Sequence, residues 1–132
     1  MDNGRLVELL NEKGRRLYTV PRGTSIGDAV REMNTKGVGA VMVMDNGRPV
    51  GIFTERDVLR RVVDTDRDPT TTPVTEVMTP DPVTMDIGMR VEDAMALMTQ
   101  RRFRHLPVTE NDEVVGMVSI GDLVRWVQHA PH

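Results

Sequence analysis

The strongest constraint on this 132-residue chain is that it repeats itself. Gly51-Ile52-Phe53-Thr54-Glu55-Arg56-Asp57 returns 65 residues later as Gly116-Met117-Val118-Ser119-Ile120-Gly121-Asp122. The offset holds without a gap from Thr19/Thr84 to Val62/Val127, and 12 of those 44 aligned positions are identical. Unrelated segments would share roughly 2 or 3, so the chain is an internal duplication. Each half alone would bury too little apolar surface, so the pair is the expected folding unit.

The halves read alike along the chain. Residues 1–14 hold a short amphipathic helix with Leu6, Leu9 and Leu10 on one side and Gly14 as its stop. Residues 15–63 form the first repeat and 80–128 the second. Residues 64–79 are a polar, turn-rich linker in which Val74–Met78 forms one helical turn, and 129–132 are a frayed tail. In the first repeat a short extended segment at 17–20 precedes a helix capped by Ser25, with Ile26, Ala29, Val30 and Met33 on its buried stripe and Gly37 as its end. Strands at 40–44 and 50–53 flank Asn46-Gly47, which suits a type I′ hairpin, and a helix follows over 55–62. The second repeat restates this with Val91, Ala94, Met95 and Met98 inward, strands at 106–109 and 114–118, and a helix over 121–128. The expected fold is α/β: tandem repeats, each strand-helix-strand-strand-helix, packed with pseudo-two-fold symmetry around a shared core.

Each copy of the duplicated turn ends an apolar run on a hydroxyl residue and places an aspartate three positions on. This is a capping box at a strand-to-helix junction, a structural role that needs no ligand. Other chemistry is excluded or unsupported. Without cysteine there is no thiol catalysis, disulfide or thiolate metal site, and a cytoplasmic location fits. A net charge of -3 gives no general pull toward nucleic acid or anionic lipid, and Tyr18, Phe53, Phe103 and Trp126 are too few for a base-stacking platform. No apolar run reaches the ~20 residues of a membrane helix, and the polar Met1-Asp2-Asn3-Gly4 stretch is not expected to act as a secretory signal. There is no phosphate-binding Walker loop and no Gly-x-Ser-x-Gly elbow, and Gly37-Val38-Gly39 fails the dinucleotide fingerprint because Met42 stands where its last glycine belongs. His129 and His132 sit in a proline-containing terminal tail that cannot hold a metal on two ligands. The chain is not expected to be an enzyme.

Three features together resemble a CBS-domain pair, the Bateman module, over about residues 15–128: the duplicated Gly-x-x-Thr/Ser-x-x-Asp, Val77-Met78-Thr79-Pro80 before the second repeat, and Arg101-Arg102-Phe103-Arg104-His105-Leu106-Pro107-Val108. The wording around Met117–Val124 is most similar to small stand-alone CBS-pair proteins. The resemblance implies a regulatory module that binds adenine nucleotides (AMP first, then ADP, ATP or NAD(H)) in clefts between the repeats. It implies no catalytic cofactor, a homodimer, and a regulated partner protein. The alternative is a protein–protein interaction module with a degenerate ligand site.

The resemblance also implies the roles of particular residues. Asp57 and Asp122 accept hydrogen bonds from ribose hydroxyls, and Thr54 and Ser119 face phosphate or ribose. Helix starts and arginine suit phosphate, so Arg56 joins the first site, and Gly121 in its place makes the second inequivalent. Arg104 and His105 are phosphate candidates; otherwise Arg104 joins Arg101 and Arg102 in a solvated face and His105 is merely hydrogen-bonded. Gly39 and Ala40 leave room for a base at the matching positions, Thr19 and Thr84 line its pocket, and Val41 and Leu106 flank the adenine unless they simply pack in the core.

Overall fold

A computed structural model of the chain describes residues 3–129. The readings of Met1, Asp2 and the tail beyond His129 lie outside the described residues; His129 itself ends a helix. Two compact units result: residues 3–17 join residues 83–129, and residues 18–82 form the other.

The chain opens with α1 (Leu6–Lys13), which buries Leu6, Leu9 and Leu10. Glu8 accepts the Arg5 N–H at 3.0 Å, satisfying a donor at the helix start, and Gly14 ends it at φ 103°.

The first repeat contains β1 (Thr19–Pro21), α2 (Ile26–Lys36), β2 (Ala40–Asp45), β3 (Arg48–Thr54) and α3 (Glu55–Asp57). Ser25 Oγ accepts the Asp28 N–H at 3.1 Å, the expected cap of α2. Ile26, Ala29 and Met33 are buried, and Gly37 closes the helix in the left-handed region at φ 66°. Asn46 and Gly47 both have positive φ, as the β2–β3 hairpin requires. β1 runs parallel to β2, and β2 antiparallel to β3.

Two findings differ from the sequence reading. The helix after Thr54 is not plain: α3 continues as a π-helical turn over Val58–Val62 and a 3₁₀ turn over Val63–Thr65. The segment read as linker also joins the sheet. After a 3₁₀ turn at Val74–Glu76, β4 (Thr79–Pro80) pairs antiparallel with β3, giving the order β1-β2-β3-β4.

The second repeat contains β5 (Met85–Asp86), α4 (Val91–Arg101), β6 (His105–Glu110), β7 (Glu113–Ser119) and α5 (Ile120–His129), with sheet order β5-β6-β7. α4 buries Val91, Ala94 and Met98, and Met95 packs half-buried beside them. Arg102 takes the left-handed position at φ 61° that Gly37 fills in the first repeat.

Each repeat is completed by a segment that lies outside the 44 positions aligned at the 65-residue offset. In one unit the Val74 N–H donates to Thr24 O at 2.8 Å and the Ile26 N–H to Thr72 O at 3.0 Å. In the other the Leu6 N–H donates to Met89 O and the Val91 N–H to Gly4 O, both at 2.9 Å. Residues 4–10 therefore serve the second repeat as residues 72–78 serve the first. The duplicated glycines make room for them. A Cβ on Gly51 would fall onto the Met78 side chain and 2.9 Å from Thr79 O, and one on Gly116 would come within 3.1 Å of the Leu10 methyls. Each unit has its own apolar cluster. One gathers Leu6, Leu9 and Leu10 with Val91, Met98, Leu106 and Leu123, and the other gathers Ile26, Met33, Val41 and Phe53 with Val74 and Val77.

Candidate nucleotide site

The strand-to-helix turns hold the candidate residues, and both are the capping boxes that the spacing predicts. In the first, the Thr54 N–H donates to Asp57 Oδ2 at 2.9 Å and the Asp57 N–H to Thr54 Oγ1 at 3.3 Å. In the second, the Ser119 N–H donates to Asp122 Oδ2 at 2.8 Å and the Asp122 N–H to Ser119 Oγ at 3.0 Å. One oxygen of each carboxylate thus serves the backbone.

Each hairpin brings further candidate positions beside its own turn. Ala40 pairs with Thr54, and the Gly39 carbonyl accepts the Glu55 N–H at 3.1 Å. His105 pairs with Ser119, and the Arg104 carbonyl accepts the Ile120 N–H at 2.9 Å. Arg56 is half-buried one residue into α3, and the Arg104 side chain is exposed. Thr19 is exposed on β1 opposite Met42, two residues along β2 from Ala40, and Thr84 is exposed just before β5. Val41 and Leu106 are wholly buried in their apolar clusters, so their side chains serve packing.

The two aspartates differ in what holds the rest of the carboxylate. The Thr54 hydroxyl also reaches Asp57 Oδ2 at 3.2 Å, whereas Oδ1 accepts no hydrogen bond among the described residues, and Arg61 Nε stands 3.7 Å from it. Asp57 is 6% exposed. Burial pushes its carboxyl above the ordinary 3.8, against the opposing pull of the Thr54 N–H, Arg61, the Thr54 hydroxyl and Arg56. At Asp122, Lys13 Nζ donates to Oδ2 at 2.5 Å and Arg125 Nη2 to Oδ1 at 2.7 Å. Burial raises this carboxyl too, but the Lys13 hydrogen bond, the Ser119 N–H, the Lys13 charge and the Ser119 hydroxyl together hold it below 3.8.

Sequence reasoning missed Lys13, Arg125 and Arg61. Arg125 was legible, since it lies three residues beyond Asp122 on a helix. Its identical counterpart Arg60 makes no such contact, because the π-helical turn re-aims the residues after Asp57 and brings Arg61 nearest instead. Nothing local announces Lys13, which comes from α1, 109 residues away in sequence. Among the described residues no group of three His, Asp or Glu side chains could hold a metal ion, and no helix is long and apolar enough to cross a membrane.

The model of the CBS domain family matches residues 13–64 and 74–129. The mitochondrial CBS domain-containing protein CBSX3 of Arabidopsis thaliana is 41% identical over 110 residues, covering 80% of this chain and 53% of that protein. The chain spans about half of that relative's length, and 16% of the length of a Schizosaccharomyces pombe relative, the meiotically up-regulated gene 70 protein. The solved structure of a putative signal-transduction protein with CBS domains from Burkholderia ambifaria superposes with a TM-score of 0.92 at 37% identity, over 97% of this chain and 96% of that one. A CBS domain protein from Pyrobaculum aerophilum complexed with AMP superposes with a TM-score of 0.80 at 26% identity, over 96% of this chain and 99% of that one.

Proposed function

This chain belongs to the CBS-domain family as a tandem pair of repeats, a regulatory module, and from that premise we propose that it senses adenine nucleotides, AMP first among them, and passes their occupancy to a partner protein. The observation that carries this reading is the buried Asp57 carboxylate, held by its own cap through Oδ2 while Oδ1 is left without a hydrogen bond among the described residues. An oxygen placed so can accept from a ribose hydroxyl. Thr54 and Arg56 beside it supply donors for phosphate, and Gly39 and Ala40 present small residues across the hairpin where a base needs room. Among solved relatives, the AMP complex of the Pyrobaculum protein supports the ligand class. A ligand switches such a module only by preferring one of its states.

Self-association and cytoplasmic action belong to the same proposal. Leu59 and Val124 occupy duplicated positions, and they are 67% and 40% exposed. Leu59 with Val63 in one unit, and Val124 in the other, each offer exposed apolar side chains that a second copy would cover. One observation favours the alternative of an interaction module in the second repeat alone: both oxygens of Asp122 are held by cations.

Thermal-shift and calorimetric titration with AMP, ADP, ATP and NADH tests the reading. A ligand at 100 times its Kd should add roughly 2.7 kcal/mol of stability, and Asp57→Ala should remove the first repeat's share. Unchanged affinity in both Asp57→Ala and Asp122→Ala would end the ribose assignment.

A further inference from the structure

Lys13 is the last residue of α1, and its ammonium is committed to the second repeat's turn. It donates to Asp122 Oδ2 at 2.5 Å and to the Met117 carbonyl at 2.6 Å. Arg125 holds the other carboxylate oxygen at 2.7 Å. With the Ser119 N–H on Oδ2, the carboxylate has three donors, two of them full cations. The Asp122 side chain is 12% exposed and Lys13 is 39% exposed, so the ion pair is partly shielded from water while Lys13 can still leave. In the first repeat nothing equivalent exists among the described residues: the cation nearest Asp57 Oδ1 is Arg61 at 3.7 Å, and Arg61 spends its hydrogen bonds on the Val77 and Met78 carbonyls at 3.3 and 2.9 Å.

We propose that Lys13 is a built-in competitor for the second repeat's ribose acceptor, a latch that keeps Asp122 engaged until an adenine nucleotide displaces it. The inference rests on the nucleotide reading above. The Lys13 contact carries a full charge on both partners, whereas a ribose hydroxyl brings only a neutral donor to the same carboxylate oxygen, so the hydroxyl does not outbid the ammonium there. The two repeats therefore fill in order, the first at lower nucleotide concentration and the second only at the expense of the Lys13 contacts. Release has a structural consequence. Lys13 anchors the C-terminal end of α1, which Gly14 follows at φ 103°, so a displaced Lys13 frees that end while the Leu6, Leu9 and Leu10 face stays packed. Occupancy of the second repeat is thereby reported at the end of α1.

The test isolates the second repeat in an Asp57→Asn background and titrates AMP and ATP by calorimetry into proteins carrying Lys13, Lys13→Met, Lys13→Gln or Lys13→Arg. Loss of the latch should tighten binding about tenfold for Met and Gln, the equivalent of one charge-assisted bond released, while Arg keeps the weak affinity. Equal affinity across the four overturns the latch. Weaker binding in Met and Gln overturns it as well, and makes Lys13 a phosphate ligand. Silence from all four and from the protein with Asp57 intact overturns the nucleotide reading, and the latch falls with it. If the protein with Asp57 intact binds but the four Asp57→Asn proteins do not, the latch alone fails.

Discussion

Asp57 and Asp122 are the same residue in the same capping box, yet their surroundings pull their protons in opposite directions. Burial dominates at Asp57 and raises its pKa, whereas Lys13 and the Ser119 donors overcome burial at Asp122 and lower it. The linkage has opposite signs. Folded Asp57 binds its proton more tightly than the unfolded chain does, so its contribution is present below the ordinary 3.8 and is lost as pH rises through the raised value. Folded Asp122 binds its proton less tightly, so its contribution is present above 3.8 and is lost as pH falls through the lowered value. Urea unfolding across about pH 3 to 7 should show Asp57→Asn gaining on wild type as pH rises, and the wild-type advantage over Asp122→Asn shrinking as pH falls. Parallel curves for the two variants would contradict the difference in environment. The cap itself was readable from Thr54-x-x-Asp57, because it is made within four residues; the charge around it was not.

Between elements, the duplicated glycine decides how closely a completing segment can approach the sheet. At Gly51 a Cβ meets the Met78 side chain and a backbone carbonyl, Thr79 O at 2.9 Å, in a segment pinned by its β4 pairing to β3. At Gly116 it meets only the ends of the Leu10 side chain at 3.1 Å, and these can give by a few tenths of an ångström. Gly51→Ala should therefore cost about 1–3 kcal/mol, and Gly116→Ala less than about 1 kcal/mol. Denaturant midpoints of the two variants check the order, and a reversal would mean that α1 is the more rigid neighbour. The equivalence of the completing segments was visible in principle: Leu6-Val7-Glu8-Leu9-Leu10 aligns with Val74-Thr75-Glu76-Val77-Met78 in apolar pattern and at Glu8/Glu76. It escaped the repeat comparison because its offset is 68 residues, not 65. The π-helical turn after Asp57 carries no proline, glycine pair or other local mark.

Across the molecule, chain order and structural membership part company at α1. It precedes the first repeat in sequence and completes the unit that holds the second. Three wholly or nearly buried leucines at about 1.5–3 kcal/mol each are comparable with a domain's whole stability of about 5–15 kcal/mol. Deleting residues 1–13 should thus strip hydrogen-exchange protection from β6 and β7 while β2 and β3 keep theirs. Loss confined to β2 and β3 would refute the assignment of α1 to the second repeat.

The sequence alone determined the duplication, the element order, the Ser25 and Asn46-Gly47 signals and the twin caps, because each depends on residues within a turn or two of one another or on a repeat that can be counted. The tertiary structure alone decided that α1 belongs with the second repeat, that β4 joins the first sheet, and that Lys13 joins Arg125 on the Asp122 carboxylate while Asp57 Oδ1 accepts no hydrogen bond among the described residues. Those outcomes depend on packing and on charges brought together across long stretches of chain, and no local pattern records which of two equal motifs a distant lysine will reach.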